Sequence, residues 1–345
     1  MSVVYKWCFR APAKALVTGA NGFVGAWVVR TLLEQGYSVV GVVRAASKGD
    51  HLKRMFSSYG DKFTIALVED ITKPGAFDDV VKDVQLIEHV ACPVHTNFKL
   101  PNELIDPAVL GTTGILQSAL RHGSLVRRVV ITSSTAAVIR PVSEHTVFNE
   151  ACYNDAAIAE VEAKGADSPQ MSVYCAAKTL AEKAAMKLVG ENKPAWDLVI
   201  VAPPWVFGPP IHEVPSLNSL NASIQYLYNI LVKGDMDASA LASQGGGWID
   251  VRDLALAHVL AAQKAEAGGN RFILGAGHYF LQDIVDAAVD NGDSPTVKGE
   301  YGATAGKVPL MEFDASKAKS SFGIEYRSLQ SMTRDLMAYF KDFSA

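Results

Sequence analysis

Short runs of apolar residues alternate with helical patterns along the first 200 or so residues of the chain. The apolar runs lie at residues 14–18, 39–43, 63–68, 86–90, 129–132 and 198–201. Stretches with helical periodicity lie between several of them, at residues 23–35, about 77–82, 110–122 and 176–190. Strands that are apolar throughout and separated by helices are typical of a parallel sheet covered on both faces. The pattern therefore predicts a doubly wound α/β fold.

The remaining segments break this alternation. Residues 136–172, 204–247 and 275–345 are rich in Pro, Gly, Ser and Asn. Each would emerge beyond the carboxyl ends of sheet strands, where open α/β sheets bind their ligands. We expect these segments to form a smaller, discontinuous substrate-binding lobe. The sheet domain then comprises mainly residues 12–203, interrupted by 136–172, together with about 248–275, and the lobe comprises mainly residues 204–247 and 276–345.

Composition and charge exclude several classes of protein. The 345 residues are 49% hydrophobic and 20% charged, with a formal charge of −4. That balance gives no support for binding to nucleic acid or to a membrane surface. Residues 1–12 lack the apolar core of a signal peptide, and no apolar stretch is long enough to cross a bilayer. The cysteines form no C-x-x-C pair, which fits a cytoplasmic protein; they are Cys8, Cys92, Cys152 and Cys175.

The strongest local signal lies between the first apolar run and the first helical stretch, where the chain reads T-G-A-N-G-F-V-G. Glycines allow a tight turn and a close approach of the backbone to a phosphate group, and the start of a helix offers unpaired N–H groups to an anion. We interpret the segment as a nucleotide-binding turn; the alternative is a plain turn. The expected cofactor contacts are Thr18, Gly19, Asn21, Gly22, Phe23, Val24 and Gly25.

The end of the second apolar run indicates which nucleotide is bound. Enzymes that use NAD usually have an Asp or Glu there, which accepts hydrogen bonds from the ribose hydroxyls. This chain has Arg44 and, four residues later, Lys48, and both could pair with a 2′-phosphate. The pattern favours NADPH, the alternative being a solvated basic turn. Asp70, after the third run, could accept from the adenine amino group, although an ordinary turn aspartate fits nearly as well.

Tyr174 and Lys178 form a Y-x-x-x-K pair at the start of the fourth helical stretch. Four residues apart on a helix, they lie on one face, so that the ammonium group can lower the pKa of the phenol. Such a pair also arises by chance. Its weight comes from its place downstream of the glycine turn and of the segment I-T-S-S-T at residues 131–135, an apolar strand that ends in hydroxyl groups. That segment could equally be a Ser/Thr-rich turn.

Six motifs together resemble one family. They are T-G-A-N-G-F-V-G, H-V-A-C-P, I-T-S-S-T, Y-C-A-A-K, P-W-V-F-G-P and W-I-D-V-R-D-L-A-L-A-H, in the order of the extended short-chain dehydrogenase/reductases. The set is most similar to the dihydroflavonol-reductase-like branch, which includes fungal NADPH-dependent ketone and aldehyde reductases. The resemblance covers nearly the whole chain, from about residue 14 to residue 340. It implies a Rossmann-type sheet, NADPH as cofactor, and an oxidoreductase that reduces an aldehyde or ketone to an alcohol.

The resemblance also implies roles for individual residues. Tyr174 would be the general acid that protonates the carbonyl oxygen, and Lys178 would lower the pKa of that tyrosine and hold the nicotinamide ribose. Ser134, rather than Ser133, aligns with the family's catalytic hydroxyl. On the cofactor side the resemblance adds Ala91, Pro203 and Val206.

Two departures from the family pattern bear on the chemistry. Ala108 lies where many short-chain reductases have an asparagine that relays protons, so a relay through that side chain is not expected. Ile139 lies where plant dihydroflavonol reductases have a polar residue that recognises flavonoid hydroxyls, which favours a more apolar ketone or aldehyde. We expect Trp205, Phe207 and Tyr226 to line the same substrate pocket. The alternative is that these aromatic residues belong to the core.

Three other interpretations fit the sequence less well. Nucleotide-sugar epimerases and dehydratases share the fold and the Tyr–Lys pair, but residues 135–137 lack the acid pair of the dehydratases, and Arg44 argues against tightly held NAD. A catalytically silent NADPH-binding regulator would usually lack the tyrosine or the lysine. His89, Cys92 and His95 have an irregular spacing for zinc, so no metal site is predicted. The only expected partner is the small carbonyl substrate, with the chain a monomer or a homodimer.

Overall fold

The computed structural model describes residues 10–92, 98–297 and 299–344. Cys8 and His95 therefore lie outside the described residues. The strands are β1 (Lys14–Thr18), β2 (Ser38–Val43), β3 (Phe63–Leu67), β4 (Leu86–His89), β5 (Arg128–Thr132), β6 (Thr146–Phe148), β7 (Asp197–Ala202), β8 (Trp205–Phe207), β9 (Gly245–Asp250), β10 (Arg271–Ile273), β11 (Gly277–Phe280) and β12 (Met311–Phe313). The helices are α1 (Phe23–Glu34), α2 (Asp50–Met55), α3 (Asn102–His122), α4 (Asp155–Lys164), α5 (Gln170–Asn192), α6 (Ala222–Tyr228), α7 (Ala238–Ser243), α8 (Val251–Gln263), α9 (Leu281–Asp290), α10 (Ser316–Phe322) and α11 (Leu329–Ser344).

Seven parallel strands form the main sheet, in the order β10-β7-β5-β4-β1-β2-β3. The strand order reverses at β1, which pairs with β2 on one side and with β4 on the other. A reversal of this kind opens a crevice at the carboxyl ends of the strands. The predicted doubly wound, Rossmann-type α/β fold is confirmed.

Helices cover both faces of the sheet because its central strands are apolar on both faces. On one face, Val17 of β1 packs in a buried cluster with Val29 of α1 and Val259 of α8. On the other face, Leu16 packs in a second cluster with Ile115 of α3. Within the described part of the chain, no helix is both long enough and apolar enough to cross a membrane.

A smaller sheet, in the order β11-β9-β8, lies beyond the carboxyl ends of the main strands. A separate apolar cluster joins it to the C-terminal helix, with Phe207 of β8, Trp248 of β9 and Leu336 of α11 among its members. Strand β6, from the insertion after β5, pairs with β12 from near the C-terminus, so that segments distant in sequence meet in this region. The division into a cofactor domain and a discontinuous substrate lobe stays a prediction.

Three predicted helices differ from the structure, and one of them, α5, begins at Gln170 rather than at residue 176. A helix at residues 77–82 is predicted, and this is wrong: the segment forms turns, with Phe77 and Val81 buried beneath it. Consecutive aspartates at its second and third positions, which favour turns over helix interiors, explain the difference. Helix α3 begins at Asn102 rather than at residue 110, and Pro107 lies inside it. Pro107 removes only a hydrogen bond to the first turn, and the burial of Leu104 and Ala108 holds that turn in place.

Candidate active site

The glycine turn forms a backbone cradle at the start of α1. Gly19 has φ +65°, and its carbonyl accepts a 2.9 Å hydrogen bond from the Gly22 nitrogen. A Cβ on Gly25 would lie 2.1 Å from the Gly19 oxygen, so no other residue fits there without moving the backbone. Helix α1 has no side-chain cap and no acidic residue in its first turn. Its first N–H groups and the positive end of its dipole are therefore available to an anion such as a pyrophosphate.

Thr18 fixes the loop after β4 against this cradle. Its Oγ1 accepts hydrogen bonds from the Val90 nitrogen at 3.1 Å and the Ala91 nitrogen at 3.0 Å. The hydroxyl proton is then left for Nδ1 of His89, 3.0 Å away. Burial, aided by the positive charge of Lys178, lowers the pKa of His89 to about 3, so the imidazole is neutral and can accept. Ala91 thereby lies against Gly19, whose added Cβ would meet it at 3.0 Å.

The predicted selectivity residues lie at the adjoining ends of β2 and β3. Arg44 and Lys48 are exposed, and neither makes an ion pair with another described residue. A hydrogen bond from the Val68 nitrogen to the Val43 oxygen holds the two strand ends together. Asp70 lies just after the end of β3. Hydrogen bonds from the Thr72 hydroxyl and the Thr72 backbone nitrogen lower the pKa of its carboxyl. This edge therefore carries the side chains of Arg44 and Lys48, which form no ion pair with a described residue. Beside them lies the Asp70 carboxylate, which already accepts hydrogen bonds from Thr72.

Ser134 begins the turn that follows β5. Backbone hydrogen bonds from Ser133 to Val201 (2.7 Å) and from Thr135 to Pro203 (2.9 Å) extend the pairing of β5 and β7 past the strand ends. Between them Ser134 is partly exposed, and its Oγ accepts a 3.1 Å bond from the Ala136 nitrogen. Its hydroxyl proton stays free to be donated to a bound group.

Helix α5 presents Tyr174 and Lys178 on one face, four residues apart, as predicted. Tyr174 is partly exposed and packs, with Ile139 and Cys92, against the buried cluster that contains Ala108 and Ala136. Lys178 is only 8% exposed. Burial opposes its charged form. The surrounding Cys92, Tyr174 and Glu182 side chains outweigh burial, however, and raise the pKa of this lysine above its ordinary value.

The predicted aromatic residues form a stack on the smaller sheet. Trp205 is 40% exposed and stacks on Tyr226, with ring centroids 5.4 Å apart and planes 22° from parallel. Phe207 also stacks on Trp205, with ring centroids 6.1 Å apart. Phe207 is wholly buried, however, and contacts Tyr279 edge to face. Phe207 therefore supports Trp205 from the core rather than facing an open pocket.

Buried polar groups behind the site are absent from the predictions. Glu182 lies one turn beyond Lys178 and pairs with Arg271 of β10, with 2.5 Å between Oε1 and Nε. His258 of α8 bridges Glu88 and Thr132. The i+4 spacing of Glu182 from Lys178 is the one signal that could have pointed to it. Among the described residues, no group of three or more His, Cys, Asp or Glu side chains could hold a metal ion.

The fold and the site together define the class of protein. The profile of the NAD dependent epimerase/dehydratase family matches residues 15–275. The chain belongs to this family.

Among its relatives is a ketoreductase of Aspergillus niger, azaE, which is 34% identical over 93% of this chain and 96% of its own length. The structure is similar to that of the yeast methylglyoxal/isovaleraldehyde reductase Gre2 complexed with NADPH, with a TM-score of 0.83 at 31% identity, covering 96% of this chain and 99% of that one. It is likewise similar to Gre2 of Candida albicans in complex with NADPH, with a TM-score of 0.84 at 29% identity, covering 97% and 100% of the two chains.

Proposed function

We propose that the protein is an NADPH-dependent carbonyl reductase that converts an aldehyde or a ketone to an alcohol. The observation that carries the proposal is the placement of three groups at the crevice edge of the sheet. Ser134 follows β5 with a hydroxyl proton that no described residue accepts, Tyr174 packs against the cluster that includes Ala136 of the same turn, and the buried ammonium of Lys178 acts on Tyr174. The relatives that are named ketoreductases and methylglyoxal reductases support the same reaction class.

The residues of the cleft fit NADPH. The cradle at Gly19 and Gly25 leaves room only for backbone, and the uncapped start of α1 suits a pyrophosphate. Arg44 and Lys48 would hold the 2′-phosphate, and the NADPH in the similar Gre2 structures supports that choice. The remaining proposed contacts are Thr18, Asn21, Gly22, Phe23, Val24, Asp70, Ala91, Lys178, Pro203 and Val206. When bound, NADPH supplies the hydride.

Chemistry at the carbonyl oxygen is assigned to the chain's own side chains. Tyr174 donates the proton that the oxygen needs as it gains negative charge. The nearby ammonium of Lys178 favours the tyrosinate that is left and would hold the nicotinamide ribose. Ser134 donates a hydrogen bond to the same oxygen. Two donors placed in advance on one atom stabilise charge that develops only in the transition state.

The proposed substrate is more apolar than a polyhydroxylated flavonoid. Ile139 packs against the same buried cluster as Tyr174, and its side chain offers no hydrogen bond. A substrate hydroxyl placed there would lose the hydrogen bonds that it makes to water. On the smaller sheet, the exposed face of Trp205, stacked on Tyr226, offers a flat apolar surface for a bulky or aryl ketone or a keto ester. The cytoplasm is the proposed location, and we propose a monomer or a homodimer.

A screen of NADPH oxidation over aldehydes, aryl ketones, β-keto esters and diketones tests the function. We expect turnover with part of this panel. The Tyr174→Phe variant should lose about 10²–10⁴-fold in kcat, because a general acid contributes about that much. It should still bind NADPH, which fluorescence titration of the cofactor can measure.

The matched control is Tyr301→Phe, which removes a hydroxyl from an exposed tyrosine that bonds Asp290 at the end of α9. Turnover in the control should equal that of the wild type. Full activity of Tyr174→Phe would overturn the mechanism. NADPH binding without oxidation on any substrate of the panel would instead favour a silent regulator.

A further inference from the structure

Glu182 connects the helix of Tyr174 and Lys178 to the strand end that carries Ser134. It is 3% exposed and lies one turn beyond Lys178 on α5. Its Oε2 accepts a 2.6 Å hydrogen bond from the hydroxyl of Ser133, the residue before Ser134. The Ser133 hydroxyl is thus committed to Glu182, whereas that of Ser134 is not.

Arg271 extends this connection to the insertion after β5. The guanidinium is 7% exposed, and its Nε lies 2.5 Å from Glu182 Oε1. The same guanidinium donates to the carbonyls of Glu150 (2.9 Å) and Cys152 (2.7 Å) and lies 4.2 Å above the ring of Tyr153. One buried ion pair thus connects four segments: α5, β10, the end of β5 and the middle of the insertion that contains Ile139.

The opposite side of the same strand end is fixed by a second buried group. Thr132 Oγ1 lies 3.0 Å from Nε2 of His258, whose Nδ1 lies 2.7 Å from Glu88 Oε2. Thr132 and Ser133 are therefore each held by a buried partner on a different element. The residue that follows them, Ser134, is the first whose hydroxyl proton is not donated to any residue that the structure describes.

Burial of this ion pair costs free energy of desolvation, which an apolar pair of the same size in the same place would not. Removing a carboxylate and a guanidinium from water costs several kcal/mol each, and apolar residues of equal volume are often at least as stabilising. Burial accordingly raises the pKa of Glu182, although Arg271 and Ser133 act in the opposite direction. The contact with Arg271 and the hydrogen bond from Ser133 both stabilise the anion. A fixed negative charge then lies behind Lys178.

We propose that Glu182 is a positioning residue for carbonyl reduction: it fixes Ser134 relative to Tyr174 and places a negative charge behind Lys178. The inference rests on the proposed function, since it assigns those three residues their roles. The ionisable groups around the carboxylate are Arg271 on β10, Tyr153 in the insertion and Lys178 on its own helix. Lys178 in turn is faced by Tyr174, Cys92 and His89.

Glu182→Gln tests the inference, because it keeps the shape and removes the charge. We expect kcat to fall about tenfold or more, while the KM for NADPH changes less than threefold, since no proposed cofactor contact is altered. The alkaline limb of the kcat/KM profile should move to lower pH. Without the carboxylate, the positive charge of Arg271 is no longer balanced and no negative charge lies next to Lys178. The electrostatic potential at Tyr174 is then more positive, so its phenol loses its proton at a lower pH.

Two further variants separate positioning from a general structural role. Ser133→Ala removes the hydrogen bond and keeps the charge, so kcat should fall about threefold with the alkaline limb unmoved. Glu182→Asp keeps the negative charge, so the alkaline limb of its kcat/KM profile should lie at the same pH as in the wild type. Glu191→Gln makes the same change at an exposed glutamate near the end of α5 and should match the wild type in both measurements.

An unchanged kcat and an unmoved alkaline limb in folded Glu182→Gln would overturn the inference. If that variant does not fold, Ser133→Ala decides, and an unchanged kcat there also overturns it. Failure of the proposed function looks different. In that case the wild type does not reduce any carbonyl compound, or Tyr174→Phe keeps its activity, whatever the Glu182 variants do.

Discussion

Single residues at strand ends determine what the crevice can bind. A residue at the end of β2 projects toward the same edge as the cradle, because parallel strands end together there. Arg44 occupies this position, exposed and without an ion-pair partner among the described residues. A guanidinium that is not committed inside the protein can form paired hydrogen bonds with a phosphate at little cost in reorganisation.

Arg44→Asp should shift the preference from NADPH toward NADH. A hydrogen bond to a charged group contributes about 1.5–3 kcal/mol, so the kcat/KM for NADPH should fall about 10- to 100-fold, partly limited by Lys48. The new carboxylate can accept from ribose hydroxyls, so the value for NADH should fall less or rise. Steady-state kinetics with both cofactors measures the ratio.

Arg334→Asp, the same change at an exposed residue of α11, is the control for net charge. It should leave the cofactor ratio where it is. An unaltered ratio in Arg44→Asp would remove Arg44 from the proposed phosphate site.

At the level of elements, the sequence predicts what local patterns encode. The apolar runs and the glycine turn give six of the seven strands of the main sheet and the start of α1 correctly, because burial on both faces and φ above zero constrain residue types directly. The short strand β10 is missed. The wrong helix at residues 77–82 and the displaced start of α3 have a different origin. At residues 77–82 the consecutive aspartates favour turns although the apolar positions fit a helix, and at the start of α3 the burial of Leu104 and Ala108 holds a turn that local propensity does not predict.

Long-range polar contacts explain most of what the sequence could not predict. Glu182 and Arg271 lie 89 positions apart, and Glu88 and His258 lie 170 positions apart. No periodicity links such pairs, so only the fold shows that both surround residues 132–134. Phe207 illustrates the same limit: its stacking on Trp205 follows from strand alternation, but its complete burial depends on Tyr279 of β11.

The contact between Gly25 and Gly19 gives a test at this level. In Gly25→Ala the added Cβ would meet the Gly19 oxygen at 2.1 Å, so either α1 or the cradle must shift. We expect the Kd for NADPH to be at least tenfold larger and the Tm to be lower than in the wild type. Fluorescence titration and thermal unfolding measure the two quantities.

Gly190→Ala provides the matched control. Gly190 lies on the exposed side of α5 with no atom within 4 Å of an added Cβ. Alanine is favoured over glycine in a helix by about 0.5–1 kcal/mol, so this variant should bind NADPH normally and unfold at an equal or slightly higher temperature. Equal NADPH affinities in the two variants would show that the cradle does not need the close approach.

Across the whole molecule, the loop after β8 ties the glycine helix to the smaller sheet. Trp27 of α1 donates a 2.9 Å hydrogen bond from Nε1 to the Pro209 carbonyl, and Nε2 of His51 lies 2.9 Å from the Ile211 oxygen. His212 follows, its ring 5.8 Å from that of Phe23. The cradle and the smaller sheet therefore share a partly buried histidine at their junction.

Two histidines held neutral by the fold predict that stability falls in mild acid. Burial lowers the pKa of His212 to about 4, with the charge of His51 contributing, and that of His89 to about 3. In the unfolded chain both titrate near pH 6.5. Below that pH the unfolded state binds more protons, so the free energy of unfolding decreases as the pH falls toward 4, by up to about 1.4 kcal/mol per pH unit for each histidine.

His212→Phe isolates one of the two groups, because phenylalanine keeps an aromatic ring beside Phe23 and cannot take up a proton. Urea unfolding between pH 6.5 and 5 should show a slope of stability against pH that is smaller in the variant by up to about 1.4 kcal/mol per unit. Carboxyl groups titrate alike in both proteins, so the difference reports His212 alone. Identical slopes in His212→Phe and the wild type would mean that His212 is charged in the folded protein, contrary to its burial.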